Sequence, residues 1–85
     1  MILDTSALLA ILLDEPDART IAEAMANASR RRISVVNWLE TAIVITSRRG
    51  ERGAELFRAL VAKLGADVVP ADSEQAEAAY ATWLA

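Results

Sequence analysis

The 85-residue sequence has no cysteine and no histidine. Disulfides, thiolate nucleophiles, imidazole bases and zinc sites of the Cys/His kind are therefore excluded. Any metal chemistry must use carboxylate, carbonyl and water oxygens, a donor set that suits Mg²⁺, Mn²⁺ or Ca²⁺. Without a disulfide framework nothing points to an oxidising compartment. Glycine and proline are scarce, at three and two residues, which argues against disorder. Aromatic residues make up 5% of the chain, so the core must be aliphatic. The longest apolar run, Ala7 to Leu13, is far shorter than the ~20 residues a membrane-spanning helix needs. Met1-Ile2-Leu3-Asp4 has no basic stretch and meets a charge at its fourth residue, unlike a signal peptide. The expectation is a soluble, cytoplasmic protein with no membrane association.

Apolar residues make up 54% of the sequence, enough for one packed domain. A domain of this size buries only roughly 60% of its unfolded surface, so stability is a question from the start. The net charge is −3. Proteins that hold nucleic acid by phosphate neutralisation alone are usually basic. If this one handles RNA, local basic clusters or bound metal ions must carry the contact.

Met1-Ile2-Leu3 reads as a short buried strand ending at Asp4. Thr5-Ser6 can cap a helix over Ala7 to Leu13, and Asp14-Glu15-Pro16-Asp17 breaks it. A second helix is expected from Asp17 to about Ala28, with Ile21, Ala24, Met25 and Ala28 on one stripe. Arg30-Arg31-Arg32 forms a loop before a second strand, Ile33 to Val36. Asn37 is expected to cap a helix from Trp38 to Arg49, closed by Gly50. Another helix spans Glu51 to Leu64, and Gly65 ends it. Asp67-Val68-Val69 is the third strand, stopped by Pro70. Asp72 or Ser73 caps a last helix through Ala76, Tyr80, Trp83 and Leu84. Strands alternating with helical crossovers imply an α/β fold: a parallel sheet with helices on both faces.

Two acids stand out. Asp4 ends the first strand, where ligands bind in open α/β sheets. Thr5 and Ser6 beside it are small hydroxyls able to orient a carboxylate or a metal-bound water. Equally, Asp4 can simply cap the first helix. Glu40 lies in a helix that is apolar almost all round, where a carboxylate is costly unless paired, coordinated or open to a cleft. Its position near the helix start also suits the positive end of the helix dipole.

Ile2-Leu3-Asp4-Thr5-Ser6-Ala7-Leu8, the Asp14-Glu15-Pro16 loop, Ile33-Ser34, Asn37-Trp38-Leu39-Glu40 and the helix Ala76 to Tyr80 together give a pattern that resembles the PIN-domain family, most closely its VapC toxins. The resemblance covers all 85 residues. Each motif is short, but their order and spacing are specific. It implies a metal-dependent endoribonuclease of a toxin–antitoxin pair, whose carboxylates hold Mg²⁺ or Mn²⁺ during hydrolysis of RNA phosphodiester bonds. Asp4 matches the first family acid, Glu40 the second, and Ser6 a hydroxyl close to the metal. Metal-borne phosphate binding would reconcile an acidic chain with an RNA substrate. The family also implies a cognate antitoxin held in a groove of the first helices, and a homodimer.

The family fold has a five-stranded sheet with the first strand in the middle, and further acids later in the chain. Asp67 and Asp72 match none of them. The expectation is thus an incomplete PIN-like domain over residues 1–85, truncated after the third strand and its following helix. It would be a fragment, a truncated gene product or a chain whose sheet another chain completes, and it would have little or no activity alone. A non-catalytic remnant that binds an antitoxin is the competing reading. A covalent phosphoryl-transfer enzyme using Asp4 as nucleophile is a third, although its family places a second Asp where Ser6 stands.

Arg30, Arg31 and Arg32, with Arg48, Arg49 and Arg52, could contact phosphate, but also sit where helix ends and loops normally carry charge. Trp38 and Trp83 could stack on bases, but both fall at apolar helical spacing, which favours core or interface positions.

Overall fold

The computed structural model describes residues 1–84, without the side chains of Ala79, Thr82 and Trp83. The stacking or core role considered for Trp83 therefore lies outside the described residues. The elements follow the order α1 (Thr5–Leu12), α2 (Ala18–Asn27), β1 (Arg32–Ser34), α3 (Val35–Leu64), β2 (Asp67–Val69) and α4 (Ser73–Leu84). β1 and β2 pair in parallel, with Ile33 opposite Val68. The fold is α/β, with the strand–helix alternation read from the sequence.

The first strand is the main departure. Met1 to Leu3 contributes one parallel bridge, Ile2 to Arg32, rather than a full strand. Leu3 N–H donates to the Arg32 carbonyl at 2.8 Å, and Arg32 N–H to the Met1 carbonyl at 2.9 Å. These few residues have a neighbour on one side alone, so the ladder stays short. Residues paired across a sheet share a face, and successive residues alternate. Leu3 and Ile33, at 1% and 0% exposure, lie on the packed face. Ile2, Arg32 and Asp67 lie on the other, which is exposed.

The helix caps follow the alternative reading at Asp4, agree with expectation at Asp72 and differ from it at Asn37. Asp4, not Thr5 or Ser6, caps α1: its backbone is extended and its carboxylate accepts from the Ala7 N–H at 2.8 Å. The helix therefore starts two residues early. Ser34, not Asn37, caps α3, its hydroxyl accepting from the Asn37 N–H at 3.1 Å. That cap ends the second strand at Ser34 and draws Val35 and Val36 into the helix, overriding their strand preference. Asp72 caps α4, accepting from the Gln75 N–H at 2.8 Å.

α3 is two helices joined at Gly50, whose φ of 63° and ψ of −154° fall in a region open essentially to glycine alone. The second half folds back along the first. Gly53 makes this possible, since a Cβ there would lie 2.7 Å from Arg49 Cβ and 2.8 Å from the Ile45 carbonyl oxygen. Leu3, Leu8, Met25, Ile33, Ile45, Phe57 and Leu64 form the core. Trp38 packs on its edge, 5.4 Å from Phe57 between ring centroids. A ring held there is a packing residue.

The arginines divide. Arg31 staples two helix ends: its guanidinium donates to the Leu64 carbonyl that closes α3, and to the Met25 and Ala28 carbonyls that close α2, at 3.1 and 2.8 Å. Cations at helix C-termini neutralise orphan carbonyls and the negative dipole end. Arg30, Arg32, Arg48, Arg49 and Arg52 are exposed, and Arg52 pairs with Glu55 at 3.6 Å. Among the described residues no helix is long and apolar enough to cross a membrane.

Candidate metal centre

Both helices that carry the candidate acids start at one edge of the sheet. Ile2 and Arg32 are bridged in parallel, and α1 and α3 each begin three residues further on, at Thr5 and Val35. Their positive ends therefore open at the carboxyl edge of the sheet, where negative ligands are favoured.

Asp4 is exposed at this edge. Its Oδ1 accepts two hydrogen bonds, from Ser6 Oγ at 2.9 Å and from the Ala7 N–H at 2.8 Å. These bonds hold the carboxylate plane. Among the described residues no donor engages Oδ2, so one oxygen is fixed and the other remains available. The capping reading of Asp4 is therefore correct, and it leaves room for a ligand on the second oxygen. Ser6 orients Asp4, as its position in the sequence suggested.

Glu40 stands on the second turn of α3, half-buried, with no ion pair or hydrogen bond among the described residues. It lines an apolar groove of about 300 Å³ with Val35, Val36, Leu39, Ile43 and Val44.

The residues beside Asp4 meet α3 at Asn37, which the sequence suggested as a helix cap. Asn37 Nδ2 donates to the Leu3 carbonyl at 3.5 Å. Thr5 Oγ1 shares its proton between the Asn37 carbonyl and Oδ1, both at 3.4 Å. Thr41, fully buried, donates to the Asn37 carbonyl at 2.7 Å. The residues on either side of Asp4 thus both meet Asn37, and Glu40 follows Asn37 by three positions. Helix positions three apart are neighbours on one face, about 5–6 Å between Cβ atoms. Asn37 and Thr41 are polar residues four apart, a spacing that places them on one face of the helix.

The donors present are carboxylate and hydroxyl oxygens, the chemistry that Mg²⁺ and Mn²⁺ prefer. The set fits such an ion in kind. In number it is small, since no group of three or more acids comes together among the described residues. Asp67 and Asp72 join neither Asp4 nor Glu40 in such a group.

The PIN-domain family model matches residues 1–85. The chain belongs to the PIN-domain family. Its curated relatives are ribonucleases by name. This PIN domain is 46% identical over 79 residues to a ribonuclease VapC of Mycolicibacterium smegmatis, covering 93% of this chain and 61% of that protein. It is 40% identical over 83 residues to ribonuclease VapC30 of Mycobacterium tuberculosis, covering 98% of this chain and 63% of the relative. Ribonuclease VapC28 of the same species is 41% identical over 83 residues, with 98% and 62% covered. The chain thus spans a little under two thirds of the length of these relatives.

Proposed function

We propose that this chain forms part of a metal-dependent endoribonuclease of the VapC type, the toxin of a toxin–antitoxin pair, which hydrolyses RNA phosphodiester bonds. Asp4 and Glu40 would hold Mg²⁺ or Mn²⁺, and Ser6 would keep Asp4 in its ligating orientation. The observation that carries the reading is the half-engaged carboxylate of Asp4: Oδ1 is tied by Ser6 and the start of α1, while Oδ2 is left open at the carboxyl edge of the sheet. A bound divalent ion would supply positive charge for the phosphoryl oxygens and lower the pKa of an attacking water. The residues' own part is placement. Ser6 and the Ala7 amide restrict Asp4 to one orientation, and the positive ends of α1 and α3 favour an anionic substrate at the same edge.

Two carboxylates are fewer than a dedicated site for a hard cation uses. We therefore expect the 85 residues alone to have little activity. By analogy with the family, the partners are RNA, a cognate antitoxin and a second copy of the chain, in the cytoplasm. A non-catalytic module that binds an antitoxin is the second reading. It is favoured by the exposed apolar side chains of Val35, Leu39 and Ile43, which form a surface suited to a protein partner.

Asp4→Asn tests the first reading. Asparagine caps helices about as well as aspartate, so α1 should survive while the anionic ligand is lost. In the full-length gene product, Mg²⁺-dependent RNA cleavage should fall by about 100-fold or more at unchanged thermal stability, given the several kcal/mol that metal-borne charge stabilisation is worth. Full cleavage by Asp4→Asn would sink the metal-ligand role given to Asp4. Absence of cleavage in the wild-type protein, with antitoxin binding retained, would leave the second.

A further inference from the structure

We infer that Asn37 is a positioning residue for the two-carboxylate centre: it sets the span between the strand end that carries Asp4 and the helix that carries Glu40. The inference rests on the metal-dependent reading above and adds to it a residue with no ligating role.

Three observations carry it. First, Asn37 brackets Asp4. Its side-chain amide donates to the carbonyl of Leu3, the residue before Asp4, and accepts from the hydroxyl of Thr5, the residue after. Second, among the described residues these contacts and the Thr5 bond to the Asn37 carbonyl are the only hydrogen bonds between residues 3–5 and α3. The rest of the α1–α3 contact is apolar packing, which fixes distance less sharply than directed bonds do. Third, Asn37 is itself held. Its N–H donates to Ser34 Oγ, and its carbonyl accepts from buried Thr41. With its backbone held in this way, the side chain of Asn37 carries the position of α3 to the strand end.

The chemistry explains the residue type. Position 37 must donate to one backbone oxygen and accept from one hydroxyl with the same short head group. Aspartate lacks the donor, serine is too short, and leucine of similar volume offers neither. The bonds are long, at 3.4–3.5 Å, and weak in stability terms. Their effect is expected on geometry, to which a shared cation is sensitive. Partners that orient metal ligands typically matter by about 10–100-fold in metal affinity when removed.

The test is a Mn²⁺ titration of the full-length gene product, followed by the electron paramagnetic resonance of free Mn²⁺, with metal-free thermal unfolding on the same samples. Asn37→Ala should weaken Mn²⁺ binding about 10-fold or more. Met25→Ala is the control: it opens a cavity in the core beneath α2 and removes no hydrogen bond of Asn37, Leu3 or Thr5, so it should lower the Tm at least as far while leaving the Mn²⁺ Kd unchanged. Asn37→Leu fills the volume if the alanine variant does not fold, and should show the same loss of affinity. Wild-type affinity in the Asn37 variants, or an equal loss in Met25→Ala, overturns the positioning role and leaves the metal reading standing. Wild-type Mn²⁺ binding that Asp4→Asn does not weaken overturns both.

Discussion

The two sides of the short sheet are built differently. On one side Leu3 and Ile33 lie beneath helices α1 and α3, with Leu8, Ile45 and Phe57 filling the space between. On the other side Ile2 is 58% exposed, Arg32 and Asp67 face solvent, and the free edge of residues 1–3 has no neighbour among the described residues. The outer flank of α3 continues the open character, with Leu39 and Ile43 at 56% and 57% exposure. Asp4 and the polar link through Asn37 join the closed side to the carboxyl edge. The bonds of Asn37 to Leu3 and Thr5 tie this strand end to α3. The open side carries apolar surface that the described residues leave uncovered.

The largest effect that would break this contrast is in the closed core. Phe57 is 1% exposed and packs against Trp38. Phe57→Ala should cost about 3–5 kcal/mol in unfolding free energy, by lost transfer energy and the cavity left behind. Chemical denaturation of this chain measures it. A cost below about 1 kcal/mol would mean that the closed side is loosely packed.

Arg31 sharpens the contrast within three neighbouring arginines. Arg31→Leu removes the donors to carbonyls at the ends of α2 and α3, and should cost about 2–3 kcal/mol, as hydrogen bonds from a charged group do. Arg30→Ala and Arg32→Ala, both at exposed positions, should stay within about 0.5 kcal/mol of the parent. Equal effects at all three positions would show that the cluster acts through charge alone.

The alternation of elements was legible in the sequence because apolar periodicity and the Gly65 and Pro70 breaks are local signals. The caps were legible in kind but not in place. Thr5, Ser6 and Asp4 are all capping residues, and only the chain direction leaving the strand decides among them. Val35 and Val36 favour strand by composition, yet the Ser34 hydroxyl starts a helix before them. Asp4 and Ser6 could be paired from their spacing, since a side chain two residues away can reach a cap. Asn37 could not, because its partners Leu3 and Thr5 lie more than thirty residues away and only parallel pairing brings them together.

Gly50 gives the next smaller effect. A Cβ at this position would meet nothing within 4 Å, so space is no obstacle, but the backbone conformation is. Gly50→Ala should cost about 1–2 kcal/mol through strain alone. Gly53→Ala meets the opposite limit, ordinary backbone but no space, so relaxation of Arg49 and Ile45 sets its cost. If Gly50→Ala is neutral in thermal unfolding, the two halves of α3 can join by another turn.

The smallest stability effect belongs to the open flank. Ile43 projects from the same helix as buried Ile45 and Thr41, but away from the core. Ile43→Ser removes apolar surface that this chain does not bury, so its unfolding free energy should change by no more than about 0.5 kcal/mol. Its association should change more. Sedimentation of the parent chain across a concentration series should show self-association that Ile43→Ser and Leu39→Ser reduce, because an exposed apolar stripe at i and i+4 spacing is a ready contact surface. A loss near 2 kcal/mol with unchanged sedimentation would place Ile43 in the core after all. The division between the packed side of the sheet and the open flank of α3 would then fail at its clearest point.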